Sequence, residues 1–173
     1  MSSEIAPRSR AKMWRGFALN VLLFIALVSG IRAWQQRDMV GGAPPALQGA
    51  TLAGMQYELP AHPTRPVLVH FWATWCSICR AEQGSINAIA HDYPDVITVA
   101  MQSGNAQEVT RHLREQNLDF PVLNDADGSL AKAWGVHAVP ASFIISPDCK
   151  IHFIEVGYTT GVGLRLRLWW AGI

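Results

Sequence analysis

Apolar and polar positions form blocks along the chain that predict alternating strands and helices. Residues 67–72 and 96–101 are apolar almost throughout, which is typical of central strands covered on both faces. Residues 80–93 lie between these runs and repeat their apolar positions with a helical period. Asn105 and Glu108 have the spacing of a capping box, so we expect a further helix that starts there and ends near residue 117.

Shorter elements complete the pattern. They are one or two edge strands within 47–59, broken by Gly49 and Gly54; a brief strand at 121–123; a short helix at 127–134; a hairpin of strands 141–146 and 151–156; and a terminal helix from residue 160 or 161 that carries Leu164, Leu168 and Trp169. This order predicts an α/β fold with a central mixed sheet flanked by helices, in which the central strands are parallel and the hairpin is an antiparallel edge pair.

An uncharged apolar stretch, residues 16–31, precedes this pattern. A helix of that length spans about 24 Å, which is short of the ~30 Å hydrocarbon core of a bilayer. Trp14 and Trp34 extend the usable span because tryptophan is favoured at both membrane interfaces. We predict a transmembrane signal-anchor at 16–34. A cleaved signal peptide is the alternative, since a basic start followed by an apolar stretch fits that as well.

Charge near the N-terminus predicts the orientation of this anchor. The first fifteen residues carry four basic side chains against Glu4, namely Arg8, Arg10, Lys12 and Arg15. The positive-inside rule therefore places residues 1–15 in the cytoplasm and the rest outside it. In a bacterium this is a single-pass inner-membrane protein whose main domain is periplasmic. A Gly- and Pro-rich linker at 35–46 then leads to a domain at 47–173.

The charge of the whole chain is nearly balanced, with 14 basic and 13 acidic residues. No basic stripe interleaved with exposed aromatics stands out, so we expect no nucleic-acid partner.

Two cysteines, Cys76 and Cys79, stand where the first apolar strand gives way to a helix. The free amide groups and the dipole at a helix N-terminus favour a thiolate, so we expect Cys76 to be a nucleophile and Cys79 a more buried resolving thiol. A structural zinc site normally needs four Cys or His ligands, whereas the remaining cysteine is a lone Cys149. A stapling disulfide across so short a loop adds little stability. Outside the cytosol, disulfide exchange is favoured over both, and we expect no metal and no cofactor.

The joint motifs resemble those of the thioredoxin superfamily across about residues 44–172. They are Phe71-Trp72-Ala73-Thr74-Trp75-Cys76, Cys79, Val139-Pro140 and the hairpin that follows. The anchor and Cys79-Arg80-Ala81-Glu82 make the chain similar to the TlpA/ResA/CcmG-type extracytoplasmic oxidoreductases. Segments 99–104, 156–160 and 168–172 resemble the suppressor-for-copper-sensitivity D (ScsD) proteins, which implies a role in copper tolerance.

The resemblance implies a thioredoxin-like fold and roles for residues beyond the cysteines. It implies that the Val139–Pro140 bond is cis, beside the cysteines, and that the backbone of Val139 pairs with an extended segment of the partner. A trans proline that opens a strand is the alternative. Trp75, directly before the first cysteine, is expected to support the site.

Glu82 belongs to a helical stripe with apolar residues, so we expect it to face inward. The stripe consists of Ile78, Glu82, Ile86, Ile89 and Tyr93. A partly buried carboxylate has a raised pKa, and at that position it would exchange a proton with Cys79. The alternative is a side chain that swings out to solvent at the edge of the stripe.

His70 stands six residues before Cys76, where thioredoxins carry a buried acid. It either handles protons or is a neutral, hydrogen-bonded core residue. His137 is expected near the cleft. Cys149 is expected to be exposed in the hairpin turn as a chance substitution, with an intermolecular disulfide or a copper contact as alternatives.

Two departures from the family pattern concern the redox helix. Many relatives carry a proline directly before the second cysteine, where this chain has Ile78, and Gly84 stands where related helices often have a kinking proline. Residues between the cysteines tune the redox potential, so Ser77 and Ile78 leave the direction of electron flow open.

Three functions compete at this point. The leading hypothesis is an extracytoplasmic thiol–disulfide oxidoreductase that acts on protein thiols and disulfides, reductively by analogy, and is recharged by a membrane electron donor of the DsbD or ScsB kind. The second is a copper chaperone using Cys76, Cys79 and a histidine, because soft thiolates favour Cu(I); related carriers, however, space their cysteines by three residues. The third, a thiol peroxidase, is disfavoured because such enzymes usually place a threonine ahead of one peroxidatic cysteine.

Overall fold

The computed structural model describes residues 10–36 and 39–173, which belong to two units that divide after Arg37. The first unit is a single helix, α1, at Arg10–Gln36. Its window Trp14–Ile31 has a mean hydropathy of 1.7 and no buried residue, so it is long and apolar enough to cross a membrane; a signal sequence passes the same test. Most of the predicted basic segment and the side chain of Trp34 lie outside the described part.

The second unit contains seven strands and four helices between residues 48 and 171. They are β1 Gln48–Ala50, β2 Gln56–Glu58, β3 Val67–Trp72, α2 Ser77–Asp92, β4 Val96–Met101, α3 Ala106–Glu115, β5 Val122–Asp125, α4 Ser129–Ala133, β6 Ala141–Ile145, β7 Ile151–Val156 and α5 Gly161–Ala171. The main sheet has the order β5-β4-β3-β6-β7, with β3, β4 and β5 parallel and β6 and β7 antiparallel to their neighbours. The predicted mixed sheet is confirmed.

Strand β3 occupies the centre of this sheet, and all of its residues are buried. Because side chains alternate across a strand, Leu68 and Trp72 pack into one core with α2, α3 and α5. Phe71 packs into the other core, where it contacts Trp134 and Phe143. The cysteines follow this strand directly. Because both faces of the strand are covered, the position at which the cysteine-containing segment begins is fixed.

The predicted edge strands at 47–59 instead form a separate sheet. Strands β1 and β2 pair only with each other in an antiparallel hairpin. The hairpin meets the edge strand β5 through a bridge between Thr51 and Leu123 and a hydrogen bond from the Leu52 amide to the Val122 carbonyl at 2.9 Å. Gly49 lies inside β1 rather than interrupting it. The hairpin therefore covers an edge that would otherwise expose unpaired backbone.

The predicted linker at 35–46 is shorter than the composition indicates. Helix α1 extends to Gln36, and Met39 is already buried in the second unit. The carbonyl of Gly42 accepts a hydrogen bond from the Ile151 amide at 2.7 Å, and Leu47 is fully buried. Burial of Met39 and Leu47 and the hydrogen bond between Gly42 and Ile151 thus hold this segment on the domain, although its glycines and prolines keep it from forming a helix or a strand.

Candidate redox-active site

Cys76 is the N-cap residue of α2. The polypeptide leaves β3 at Trp72, turns, and starts the helix at Ser77. The Cys79 amide donates a hydrogen bond to the Cys76 sulfur at 3.0 Å, in the place where a serine or aspartate oxygen usually caps a helix. A negative charge on this sulfur is therefore stabilised by a backbone donor and by the helix dipole.

The two cysteines form a disulfide, and they differ in burial. Cys76 is 7% exposed, whereas Cys79 is 0% exposed. A partner thiol or disulfide therefore reaches the Cys76 sulfur first. Cys79 is the more buried of the two, as predicted, while the roles of attacking and resolving cysteine stay predictions.

The loop before β6 lies against the disulfide. The Val139–Pro140 bond is cis, as the resemblance implies. The Cys76 sulfur is 3.5 Å from the Val139 carbonyl oxygen. The Pro140 carbonyl accepts a hydrogen bond from the Gly157 amide at 2.8 Å, which ties the segment after β7 to the same side of the site.

Glu82 lies one turn beyond Cys79 on α2 and is fully buried, as its place in the stripe predicts. Within the described residues, neither carboxylate oxygen has a hydrogen-bond partner. Burial raises the pKa of Glu82 to about 7, and the nearby backbone of Thr159 opposes this rise without making a hydrogen bond of ordinary geometry. A carboxyl with such a pKa gains and loses a proton near neutral pH.

Ile78 departs from the predicted stripe, because its side chain is 49% exposed. The first turn of α2 starts beyond the end of β3, so the sheet does not cover it there. Ile86 and Ile89, one and two turns after Glu82, are buried as predicted. The apolar stripe therefore begins at Cys79, and Ile78 belongs to the surface around the disulfide.

His70 is fully buried in β3, in register with Ser142 of β6. Its Nδ1 atom is 2.9 Å from the Ser142 hydroxyl oxygen, while Nε2 has no partner among the described residues. Burial lowers the pKa of His70 to about 3, so the imidazole is neutral at physiological pH. Of the two sequence-based interpretations, the geometry favours the neutral, hydrogen-bonded core residue.

Exposed apolar side chains surround the disulfide. Trp75 is 60% exposed, and its indole N–H donates to the Gln102 carbonyl at 3.1 Å, which fixes the ring beside Cys76. Ile78 and Tyr158 are also largely exposed. Tyr158 follows Gly157, whose amide binds the Pro140 carbonyl, so the aromatic ring belongs to the same surface.

Sequence reasoning did not place three residues that the fold brings to this site. Ser142 faces His70, and Gly157 and Thr159 join the segment after β7 to Pro140 and Glu82. Segment 156–160 supported the family resemblance, but nothing in its composition indicated contact with the site. Only the antiparallel return of β7 alongside β6 brings it there.

Two further residues were considered in the sequence analysis, His137 and Cys149, and the expected place of His137 near the cleft stays a prediction. His137 is exposed. Cys149 is only half-buried, in a left-handed turn with φ 57°, and its sulfur is 4.0 Å from the Pro60 carbonyl oxygen. In the part of the chain that the structure describes, no group of three or more His, Cys, Asp or Glu side chains is arranged to hold a metal ion. The copper-chaperone alternative gains no support from these residues.

Comparisons with known proteins agree with this geometry. The sequence profile of the AhpC/TSA family matches residues 40–154. A thioredoxin-like protein of Haemophilus influenzae is 29% identical over 157 residues, covering 88% of this chain and 92% of the relative. Thiol-disulfide oxidoreductase ResA of Bacillus cereus is 27% identical over 144 residues, covering 78% and 83%. The crystal structure of StoA from Bacillus subtilis matches with a TM-score of 0.63 and 25% identity, over 72% of this chain and 96% of that chain.

A thioredoxin-like fold with a Cys-x-x-Cys disulfide at the start of a helix defines a protein-disulfide oxidoreductase, and the named relatives support that activity. The chain belongs to the AhpC/TSA family. Within it, the chain is a thiol–disulfide oxidoreductase of the ResA type, with Cys76 and Cys79 as the cysteine pair. The narrower resemblance to the ScsD proteins stays a prediction.

Proposed function

We propose that the chain is a membrane-anchored reductant of disulfides in exported proteins. The observation that carries this proposal is the pairing of a reachable, amide-capped Cys76 with a buried Cys79 that has a buried carboxyl, Glu82, one turn away. A reductant must deprotonate its second cysteine in order to release the substrate. A carboxylate whose pKa is about 7 accepts such a proton at neutral pH.

The proposed reaction has two exchange steps. The Cys76 thiolate attacks one sulfur of a substrate disulfide, which forms a mixed disulfide and expels the other substrate sulfur as a thiolate that takes a proton from water. Glu82 then accepts the Cys79 proton, and the Cys79 thiolate attacks the Cys76 sulfur. The mixed disulfide breaks, and the remaining substrate sulfur leaves as a thiolate that takes a proton from water. The products are the Cys76–Cys79 disulfide and a reduced substrate, so two electrons pass from the protein to the substrate.

Trp75, Val139 and Pro140 are proposed to hold the substrate segment. Trp75 offers an exposed ring beside the Cys76 sulfur, and the backbone of Val139 faces that sulfur. His70 is proposed to support the site from the sheet as a neutral residue rather than to exchange protons.

The redox potential of the cysteine pair tests the direction of electron flow. Equilibration with glutathione buffers should give a value near the about −270 mV of thioredoxin, and a value near the about −120 mV of DsbA would contradict the reductant proposal. Trapping tests the roles of the two cysteines in a Cys149→Ser background. Cys79→Ala should accumulate mixed disulfides with exported proteins, while the matched Cys76→Ala variant should not.

The apolar helix and the basic side chains before it support anchoring through residues 16–34 in the inner membrane, with the catalytic domain in the periplasm. The oxidised pair must then be reduced again from the membrane, and we propose a donor of the DsbD or ScsB kind. Thiol alkylation in cells should find the pair reduced when such a donor is present and oxidised when it is deleted. An unchanged redox state after deletion would refute that donor.

A further inference from the structure

The turn between β4 and α3 contains a residue in a backbone conformation that side chains rarely adopt. Gln102 has a φ of 43°, although it is not a glycine. In the left-handed region the Cβ atom crowds the following carbonyl oxygen, so a residue stays there only where surrounding contacts fix it. Strain of this kind is concentrated at functional sites, where it presents a group in a particular direction.

Strand β5 and the start of α4 hold this turn in place. The Gln102 amide donates a hydrogen bond to the Asp125 carbonyl at 2.8 Å, and the Asn124 side-chain amide donates to the Gly104 carbonyl at 3.1 Å. The Gln102 side chain occupies space that Gly128 leaves open, since a Cβ atom at 128 would lie 3.0 Å from its amide nitrogen. Both the backbone and the side chain of Gln102 are therefore held, and the direction of its carbonyl group is fixed.

The turn binds the two residues that directly precede the first cysteine. The Gln102 carbonyl accepts a hydrogen bond from the indole N–H of Trp75 at 3.1 Å. The hydroxyl of Ser103, which is buried, accepts one from the Thr74 amide at 3.0 Å and donates one to the Met101 carbonyl at 3.0 Å. One contact holds the backbone before the aromatic ring, and the other holds the ring itself.

The bond to the ring contributes to orientation more than to stability. Trp75 is 60% exposed, so water would satisfy the indole N–H if the turn did not. Exchanging a hydrogen bond with water for one with protein changes the free energy of folding only modestly. A free ring on the surface, however, must be ordered when a partner binds, and this ordering weakens binding. A ring that is already held avoids that loss.

We infer that Gln102 and Ser103 are positioning residues that hold the Trp75 ring in its substrate-binding orientation before the substrate arrives. They act through Thr74 and Trp75 rather than on the reacting sulfurs. This inference rests on the proposed function, in which Trp75 holds the substrate segment. Its consequence is that the turn between β4 and α3 sets how tightly a disulfide-containing partner binds, while the rate of exchange at Cys76 is unchanged.

A single-turnover assay separates binding from chemistry. The full chain with Cys149→Ser is reduced, kept in one mild detergent and mixed with a short peptide closed by one disulfide. The rate of protein oxidation is measured against the peptide concentration. Ser103→Ala should raise the half-saturating concentration about 2- to 10-fold and leave the maximal rate unchanged. Thr110→Ala is the matched control, because it removes a hydroxyl that bonds to the Ala106 carbonyl within α3, and it should change neither value.

Two further variants act on Trp75 itself. The benzothiophene analogue of tryptophan has nearly the same shape but no N–H donor. Placed at position 75, it should raise the half-saturating concentration by a similar factor, and it keeps the test decisive if Ser103→Ala lowers stability. In a Trp75→Ala background, Ser103→Ala should not reduce the slope of rate against peptide concentration any further, because the ring through which it acts is gone.

Different results would overturn the inference and the proposed function. If the reduced parent protein does not reduce the peptide, the proposed function fails and the inference fails with it. If the parent reduces the peptide but Ser103→Ala and the analogue leave the half-saturating concentration unchanged, only the inference fails. A lower maximal rate at an unchanged half-saturating concentration would contradict it too, because Ser103 would then support the cysteines. An equal effect of Ser103→Ala with and without the Trp75 ring would show that Ser103 does not act through that ring.

Discussion

Replacing Glu82 by glutamine removes a buried titratable group while keeping the shape of the side chain. Glu82 is fully buried, its oxygens lack hydrogen-bond partners among the described residues, and its pKa is raised from 4.5 to about 7. Between these values the unfolded chain has lost the Glu82 proton while the folded protein keeps it. The contribution of Glu82 to the free energy of unfolding is therefore fully present below pH 4.5 and is lost as the pH rises to about 7.

The size of the effect follows from the two pKa values. Each pH unit between them changes the free energy of unfolding by about 1.4 kcal/mol. Over the interval from 4.5 to about 7 the total is on the order of 3 kcal/mol. The glutamine amide does not titrate, so it changes the free energy of unfolding by the same amount at every pH. Glu82→Gln should therefore gain about 3 kcal/mol relative to the parent protein between pH 4.5 and pH 8.

Denaturant unfolding at pH 4.5, 6 and 8 measures this change. The oxidised protein is used because neither Cys76 nor Cys79 titrates in the disulfide form. All measurements are made in one mild detergent. His70 acts in the opposite sense: its pKa of about 3 makes the folded protein less stable as the pH falls below the usual value of 6.5. Subtracting the parent curve at each pH removes that contribution. The exposed Glu115→Gln is the control for replacing a surface carboxylate by an amide.

A constant difference between Glu82→Gln and the parent protein at all three pH values would refute the reasoning. It would mean that the carboxyl is ionised in the fold at pH 4.5, or that water or a rotated side chain satisfies it.

Three other predictions use the same protein. Glu82→Gln should slow the release of a peptide from the mixed disulfide by about 10²-fold or more, with little effect on the formation of the mixed disulfide. Rapid acid quenching measures both rates, and a release rate equal to that of the parent protein would contradict the role of Glu82 as proton acceptor. Ser142→Ala should cost about 1–3 kcal/mol of unfolding free energy because it leaves buried His70 without its hydrogen bond; no loss would indicate another partner. Asn105→Ala should cost about 1 kcal/mol through loss of the capping box, while Gln107→Ala in the same turn should change stability far less.

Local pattern predicted much of the fold because local physics decides it. The strands at 67–72 and 96–101 and the Asn105 capping box are found where the sequence places them. Each rests on short-range rules, since a covered strand needs continuous apolar residues and a helix start needs an oxygen acceptor. The position of Glu82 also follows from helical spacing alone. The same spacing predicts that Ile78 is buried, but it is exposed. Helical spacing indicates on which side of the helix a residue lies, but not where the neighbouring sheet ends.

Long-range pairing was beyond the reach of the sequence pattern. The strands within 47–59 were predicted as edge strands and residues 35–46 as a linker. The structure instead packs the hairpin β1–β2, and the part of the linker from Met39 onward, on the domain through partners far away in sequence. Such pairings depend on which edge is left free once the sheet is assembled. The contact of Thr159 with the surroundings of Glu82 depends in the same way on where β7 ends.

The sequence by itself determined that Cys76 and Cys79 begin a helix after a buried strand, and that a carboxyl lies on the inner side of that helix. It also determined an uncharged N-terminal stretch long enough to approach a membrane span. The tertiary structure decided how these groups behave. Burial, which is a property of the assembled layers, makes Cys79 inaccessible, raises the pKa of Glu82 and keeps His70 neutral. Packing alone also leaves one side of α5 exposed, because the helix contributes only its opposite side to the core.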